Sequence, residues 1–342
     1  MAGKREMAAN LLDRCAVLEP LAAFRSLLQR DLPILAYHRV LDIEPEDRFP
    51  FDPELVSATP AVFRRQMEYV ACHFDPITFA DLLVALEDVR RLPARPLIVT
   101  FDDGYRDNYT EAFPILRQIG VPATFFVCTG SIGGDEPFWY DRIAYALFRA
   151  REGELVLPGS GRRFQLGDLS SRRAAAWEIV EVLKSMSDRE RLRSLEQLGR
   201  RLDLEVRRDD RPLGDPMSWA QVCEMSAAGM EVASHSVTHP VLSQLDDSAL
   251  QYELVESRRQ LEAVLGSSVP VLSYPFGSPS DYDARVMAAT RDAGYRLAAS
   301  YVAGRNDPHV VDRFDLRRLH IERDTSMSLF ASMLAVPQLF AS

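Results

Sequence analysis

Short apolar runs separated by amphipathic stretches set the rhythm of this chain. Runs at 33–40, 96–100, 122–128, 230–234, 269–274, 297–302 and 316–321 read as strands. Those at 97–99 and 122–128 have almost no polar alternation, which predicts strands buried on both faces. Helical spacing fills the intervals. Phe63, Met67 and Val70 form one stripe behind Thr59-Pro60, an N-cap with proline at the first helical position. Further helices are predicted near 80–89, at 110–119 before Gly120, at 219–228 before Gly229, at 246–265, at 283–293 before Gly294 and at 326–334. Seven or so strands alternating with helices predict an α/β fold, an incomplete (β/α) barrel.

Two stretches break the rhythm. Residues 131–216 carry an aromatic helical piece, a Gly-rich piece with strand-like fragments and an Arg-rich helical piece, and read as a mostly helical insertion on the barrel. Its Phe138, Trp139 and Tyr140 read first as core, with the wall of a groove as the alternative. Residues 1–30 are amphipathic and broken by Pro20, which suggests short helices packed on a barrel spanning 31–342.

Composition narrows the function. With 47% hydrophobic residues among 342 the chain can bury a sizeable core, and its formal charge of −10 argues against a general nucleic-acid binder. Cys15, Cys72, Cys128 and Cys223 form no C-x-x-C pair, so they read as four buried small hydrophobes in a reducing compartment. No stretch reads as a signal peptide or a membrane span. The expected location is cytoplasmic, with peripheral membrane association the lesser reading.

Chemistry concentrates at the ends of two runs. The strand at 96–100 leads into Asp102, Asp103 and Gly104. Two carboxylates at a turning strand end can converge on one pocket, although Asp-Gly also makes an ordinary turn. The strand at 230–234 leads into His235 and His239, four apart, which share a face if the segment forms a helical turn. Two imidazoles and one carboxylate make a divalent-metal site with open positions, and the remaining carboxylate is free to act as general base. Zinc suits this donor set best, with cobalt, nickel and iron close behind.

Thr100-Phe-Asp-Asp-Gly104, His235-Ser-Val-Thr-His239 and Tyr274-Pro-Phe-Gly277 resemble, in order and context, the motifs of the polysaccharide deacetylase family, also called carbohydrate esterase family 4 or the NodB-homology domain. The resemblance covers about residues 30–325. It implies a deformed (β/α)7-type barrel and metal-dependent removal of N-acetyl groups from N-acetylhexosamine units of a glycan. By motif position it implies Asp102 as base and Asp103, His235 and His239 as metal ligands. It also implies Tyr274 and Phe276 at the substrate, with backbone N–H groups around Phe276 facing the oxyanion.

Two positions depart from the family pattern. Ser273 stands where many members have an arginine that orients the base, and Arg318 stands where the late L-x-H motif has leucine. Two histidines contend for general acid. His320 belongs to that late motif, and His38, in Ala36-Tyr-His-Arg39, resembles the poly-N-acetylglucosamine deacetylase branch. The rival readings are a hydrolase of cyclic amides or ureides on the same fold, and a non-catalytic carbohydrate-binding protein. Which sugar is used, and the oligomeric state, are not legible in the sequence.

Overall fold

The computed structural model describes residues 31–336 apart from 89, 90, 135, 136, 203, 204, 208 and 311, together with Glu6, Ala9 and Phe340. Apart from Glu6 and Ala9, the segment expected to be helical over 1–30, Cys15 included, lies outside the described residues.

The strands are β1 (Ile34–Tyr37), β2 (Arg39–Val40), β3 (Val56–Ala58), β4 (Asp75–Pro76), β5 (Pro96–Phe101), β6 (Thr124–Val127), β7 (Gly153–Val156), β8 (Arg163–Leu166), β9 (Glu231–Ser234), β10 (Val271–Ser273), β11 (Leu297–Ala303) and β12 (Leu316–His320). Seven of them close a parallel ring in the order β1, β12, β11, β10, β9, β6, β5 and back to β1. Leu35 of β1 lies opposite Leu319 on one side and Val99 on the other, so the closure is a true ladder. The ring is the expected (β/α)7-type barrel, one strand short of eight.

Ten α-helices are described: α1 (Pro60–His73), α2 (Phe79–Ala85), α3 (Phe113–Ile119), α4 (Trp139–Arg149), α5 (Leu169–Lys184), α6 (Asp188–Gly199), α7 (Trp219–Ala227), α8 (Asp247–Leu265), α9 (Ala284–Asp292) and α10 (Met327–Ala335). The Thr59 hydroxyl caps α1 at the Val62 N–H, and Gly120 ends α3 in the left-handed region, both as expected. The helix expected over 110–119 differs: a π-type turn, Asn108–Ala112, precedes α3. Among the described residues no helix is long and apolar enough to cross a membrane.

Strand alternation sorts the core into two layers. Ile34, Ile98, Phe126, Ala233, Val271, Leu297 and Leu316, from all seven ring strands, fill the barrel, with Phe79 and Leu82 of α2 packed against them. Leu35, Val99, Phe101, Phe125 and Val127 face outward onto Phe63, Met67 and Val70 of α1. The 131–216 region holds its own apolar cluster, including Ile143, Leu147, Phe164, Ile179 and Leu183, around the β7–β8 hairpin and helices α4 and α5.

The cysteines depart from expectation. Cys128 is buried, but Cys72 and Cys223 are exposed. Both exposed thiols sit on helices away from their apolar stripes: Cys72 near the end of α1, Cys223 on α7 beside the inward Val222.

Candidate active site

The alternation that fills the barrel also arms its C-terminal mouth. Two or four residues beyond six of these inward-facing apolar residues stands a polar or reactive one. Ile34 leads to His38, Ile98 to Thr100 and Asp102, Phe126 to Cys128, Ala233 to His235, Val271 to Ser273, and Leu316 to Arg318 and His320. The mouth is where parallel barrels place their chemistry.

Asp102 follows this parity and is 2% exposed. Arg318, fully buried, meets it with two hydrogen bonds, Nη1 to Oδ1 at 2.8 Å and Nη2 to Oδ2 at 2.7 Å. Arg318 is itself held by the Ser273 hydroxyl at 3.0 Å and the Ser300 carbonyl at 2.7 Å. Burial opposes ionisation of Asp102, and the guanidinium outweighs it, keeping the carboxyl below its ordinary pKa. The two departures noted in the sequence are therefore one feature. The arginine arrives from β12, and Ser273 on β10 leaves room for it and accepts from it.

Asp103 turns the other way because its backbone is left-handed, φ 72°. Its Oδ1 lies 3.4 Å from His235 Nε2 and 3.2 Å from His239 Nε2, and it is buried without a hydrogen-bond partner. Burial opposes ionisation here too, and the two imidazoles outweigh it, holding the carboxyl well below its usual range. Burial lowers the pKa of His239; in His235 the neighbouring Asp102 and Asp103 outweigh burial and raise it.

The expected helical turn across His235–His239 does not form. The segment is a loop with left-handed residues at Ser236 (φ 67°) and His239 (φ 56°), and it is held from outside. Glu253 of α8 accepts the Val237 N–H at 2.7 Å, the Thr238 N–H at 2.9 Å and the Thr238 hydroxyl at 2.7 Å. From the turn after β6, the Gly130 N–H donates to the Val237 carbonyl at 2.9 Å, an approach so close that a Cβ at Gly130 would lie 2.8 Å from that oxygen. His235 is oriented by its Nδ1, 2.8 Å from the Ser273 carbonyl, which turns Nε2 toward Asp103.

The histidine contenders separate. His38 lines a cavity of about 180 Å³ together with Asp102, Asp103, His235, His239 and Phe276. The His320 ring stacks on Tyr301 with centroids 3.6 Å apart, and it is not among the residues lining that cavity. Burial, reinforced by the charge of Arg318, lowers the His320 pKa to about 4, so the ring is uncharged at neutral pH.

Phe276, left-handed at φ 59°, lies with its ring centroid 4.6 Å from that of His239. Tyr274 is elsewhere. It shares the outward parity of Leu272, is fully buried, stacks on Tyr282 at 4.5 Å and donates to the Phe314 carbonyl at 3.0 Å. It is a core residue behind the barrel wall and does not reach the cavity. The aromatic cluster Phe138–Tyr140 divides: Phe138 stays in a buried cluster with Tyr105 and Cys128, Tyr140 lines the cavity, and the Trp139 indole donates to the His239 carbonyl at 3.3 Å.

The family model for polysaccharide deacetylases matches residues 90–156 and 168–298. This chain belongs to the polysaccharide deacetylase family. Solved deacetylase structures share its fold. The Streptococcus pyogenes deacetylase PplD, in complex with acetate, superposes with a TM-score of 0.59 at 18% identity over 92% of this chain and 99% of that one. IcaB from Ammonifex degensii gives 0.55 at 20% identity over 89% and 98%. Similarity in sequence extends to the poly-β-1,6-N-acetyl-D-glucosamine N-deacetylases of Escherichia coli K12, 29% identical over 92 residues, and Staphylococcus epidermidis, 28% over 105. Those matches cover 27% and 29% of this chain but only 13% and 36% of the relatives' own lengths.

Within this deacetylase-family barrel, sequence reasoning missed three contributors: Arg318 as the partner of Asp102, Glu253 as the anchor of the histidine loop, and Cys128. The Cys128 thiol donates to the His235 carbonyl at 3.2 Å and lies, with ligand atoms of Asp103 and His239, in a group spanning no more than 4.8 Å. Parity with Phe126 would have pointed to Cys128, and parity with Leu316 to Arg318. Nothing local marks Glu253, which sits on a helix far along the chain.

Proposed function

We propose that this chain is a metal-dependent N-deacetylase of acetylated amino sugars in a glycan or glycan precursor. The observation that carries the reading is the bare, buried Asp103 Oδ1 facing two imidazole nitrogens beside the Asp102–Arg318 pair. Asp103 Oδ1 lies 3.4 Å from His235 Nε2 and 3.2 Å from His239 Nε2, close enough for these donors to share one divalent ion. Asp103, His235 and His239 would hold one divalent ion, zinc foremost and cobalt or nickel as alternatives. Bound there, the ion supplies acidification of water and polarisation of the acyl carbonyl.

The remaining work falls to side chains. Asp102, ionised and oriented by Arg318, takes the proton of the attacking water. Backbone N–H groups around Phe276 would face the oxygen that gains charge. His38, on the cavity wall, gives a proton to the departing nitrogen. The C–N bond breaks, and acetate and a free amine leave. The relatives named as poly-β-1,6-N-acetyl-D-glucosamine N-deacetylases support an amino-sugar substrate.

The test is acetate release from N-acetylglucosamine oligomers by protein stripped with chelator and reloaded with zinc, cobalt or nickel. Metal-restored release is expected. His235→Ala is expected to abolish metal uptake in equilibrium dialysis together with turnover. Tight metal binding with no acetate from any acetamido sugar would count against the deacetylase reading and in favour of a cyclic-amide substrate or sugar binding alone.

A further inference from the structure

The cavity does not stop at the catalytic residues. It continues between α4, α5 and the loop at 51–55, and there its lining changes character. Phe51, Ala144, Phe148, Ala176, Trp177 and Val180 form its walls. Ala144 and Phe148 are one turn apart on α4, and Ala176, Trp177 and Val180 share one face of α5, so each helix presents an apolar stripe to the space. The small side chains of Ala144 and Ala176 leave room between the two helices. Trp177 is 61% exposed and still lines the cavity, which places it where the space meets solvent.

The charged residues of this arm hold partners of their own, with Arg173 Nε alone left without one. Arg173 pairs with Glu46 at 2.8 Å and donates to the Glu46 and Phe49 carbonyls. Glu181 pairs with Lys184 at 2.9 Å, and Asp52 accepts the Glu54 N–H at 3.0 Å. A second sugar ring placed here would lose water from its hydroxyls and meet mostly hydrocarbon, which is unfavourable for unpaired polar groups. A hydrocarbon chain would meet its own kind along the whole arm.

We propose that this arm binds a hydrocarbon chain carried on the anomeric oxygen of the acetylated amino sugar, so that the substrate is a glycolipid-type precursor. The chain runs outward past Trp177. An aglycone must lead out of the site toward whatever holds it, which suits an arm open at its far end; a long N-acyl chain would call for a closed one. The identity of the sugar rests on the deacetylase reading, whereas the apolar arm is a property of the chain itself.

The experiment compares methyl, butyl and octyl β-glycosides of N-acetylglucosamine, below their micellar concentrations, with zinc-loaded protein. Acetate release should show kcat/KM rising by about tenfold or more from methyl to octyl, a fraction of what full burial of seven methylenes could yield. In Ala144→Phe and in Val180→Asn the octyl-to-methyl ratio should fall toward unity. In metal-free protein, octyl glycoside should change tryptophan emission, and Trp177→Phe should remove that change. Equal kcat/KM across the series overturns the proposal, as does a gain confined to an N-octanoyl methyl glycoside. Absence of acetate from every glycoside, with octyl-dependent emission retained, rejects the deacetylase reading and still supports the apolar site.

Discussion

The guanidinium of Arg318 and the carboxylate of Asp102 meet through two parallel hydrogen bonds, 2.8 and 2.7 Å, with both side chains withdrawn from solvent. The fork fixes the carboxylate plane as well as its charge. Arg318→Met leaves a buried carboxylate unpaired. We expect kcat to fall by about 100-fold or more and the fold to lose about 3–5 kcal/mol in urea denaturation. Arg318→Lys keeps the charge but not the fork, so it should recover stability better than turnover. Wild-type turnover in Arg318→Met would remove Asp102 from the role of oriented base.

The two histidine candidates should separate by substitution. His38→Gln is expected to lower kcat by about 100-fold or more while metal uptake is retained. His320→Gln, a change behind Tyr301 at a ring that is already neutral, should cost less than about tenfold. Steady-state kinetics beside metal content decides, and the reverse ranking would return the acid role to His320.

Glu253 lies outside the cavity, yet three of its hydrogen bonds hold the loop that carries His239. Glu253→Gln should weaken zinc affinity by about 10–100-fold, the usual effect of losing an outer partner of a metal ligand. Gly130→Ala should act in the same direction by pressing on the Val237 carbonyl. Competition titration against a chromophoric chelator measures both. Unchanged affinity in each variant would mean that the loop holds its shape without these contacts.

Asp141 on α4 predicts a pH dependence of stability. It is fully buried, accepts the Tyr105 hydroxyl at 2.7 Å through Oδ2, and has no partner at Oδ1. Burial pushes its pKa up to about 7, against the opposing charge of Arg39. Its folded value therefore lies above its unfolded one, and the native state holds a proton that the unfolded state has released. Stability contributed by this group is full below about pH 4, declines up to about pH 7 and is level beyond, a span of at most about 4 kcal/mol. Asp141→Asn should remain as stable as the parent at pH 4.5 and exceed it at pH 8. A difference between the two proteins that does not change with pH would show that Asp141 stays ionised.

Much of the architecture was written in local chemistry. Strands such as Leu97-Ile-Val99 announced burial on both faces, Thr59-Pro60 opened a helix, and Gly120 closed one, because caps and steric preferences act within a few residues. The motif residues Asp102, Asp103, His235 and His239 were legible for the same reason, since each stands just beyond a recognisable strand. Tyr274 was misplaced although its own strand held the answer. Its neighbour Ser273 points inward, so Tyr274 must point out.

What the sequence by itself determined was the alternation of strands and helices, the inward or outward face of each strand residue, and the residue types available at the barrel mouth. Only the tertiary structure decided which of them meet. Ring closure sets β12 and β5 on either side of β1, so Arg318 reaches an aspartate 216 positions away. It sets Glu253 under a loop bent by two left-handed residues, and it ranks His38 against His320 by what covers each ring. Those outcomes depend on distances between segments remote in the chain, and they exist only once the strands have chosen their neighbours.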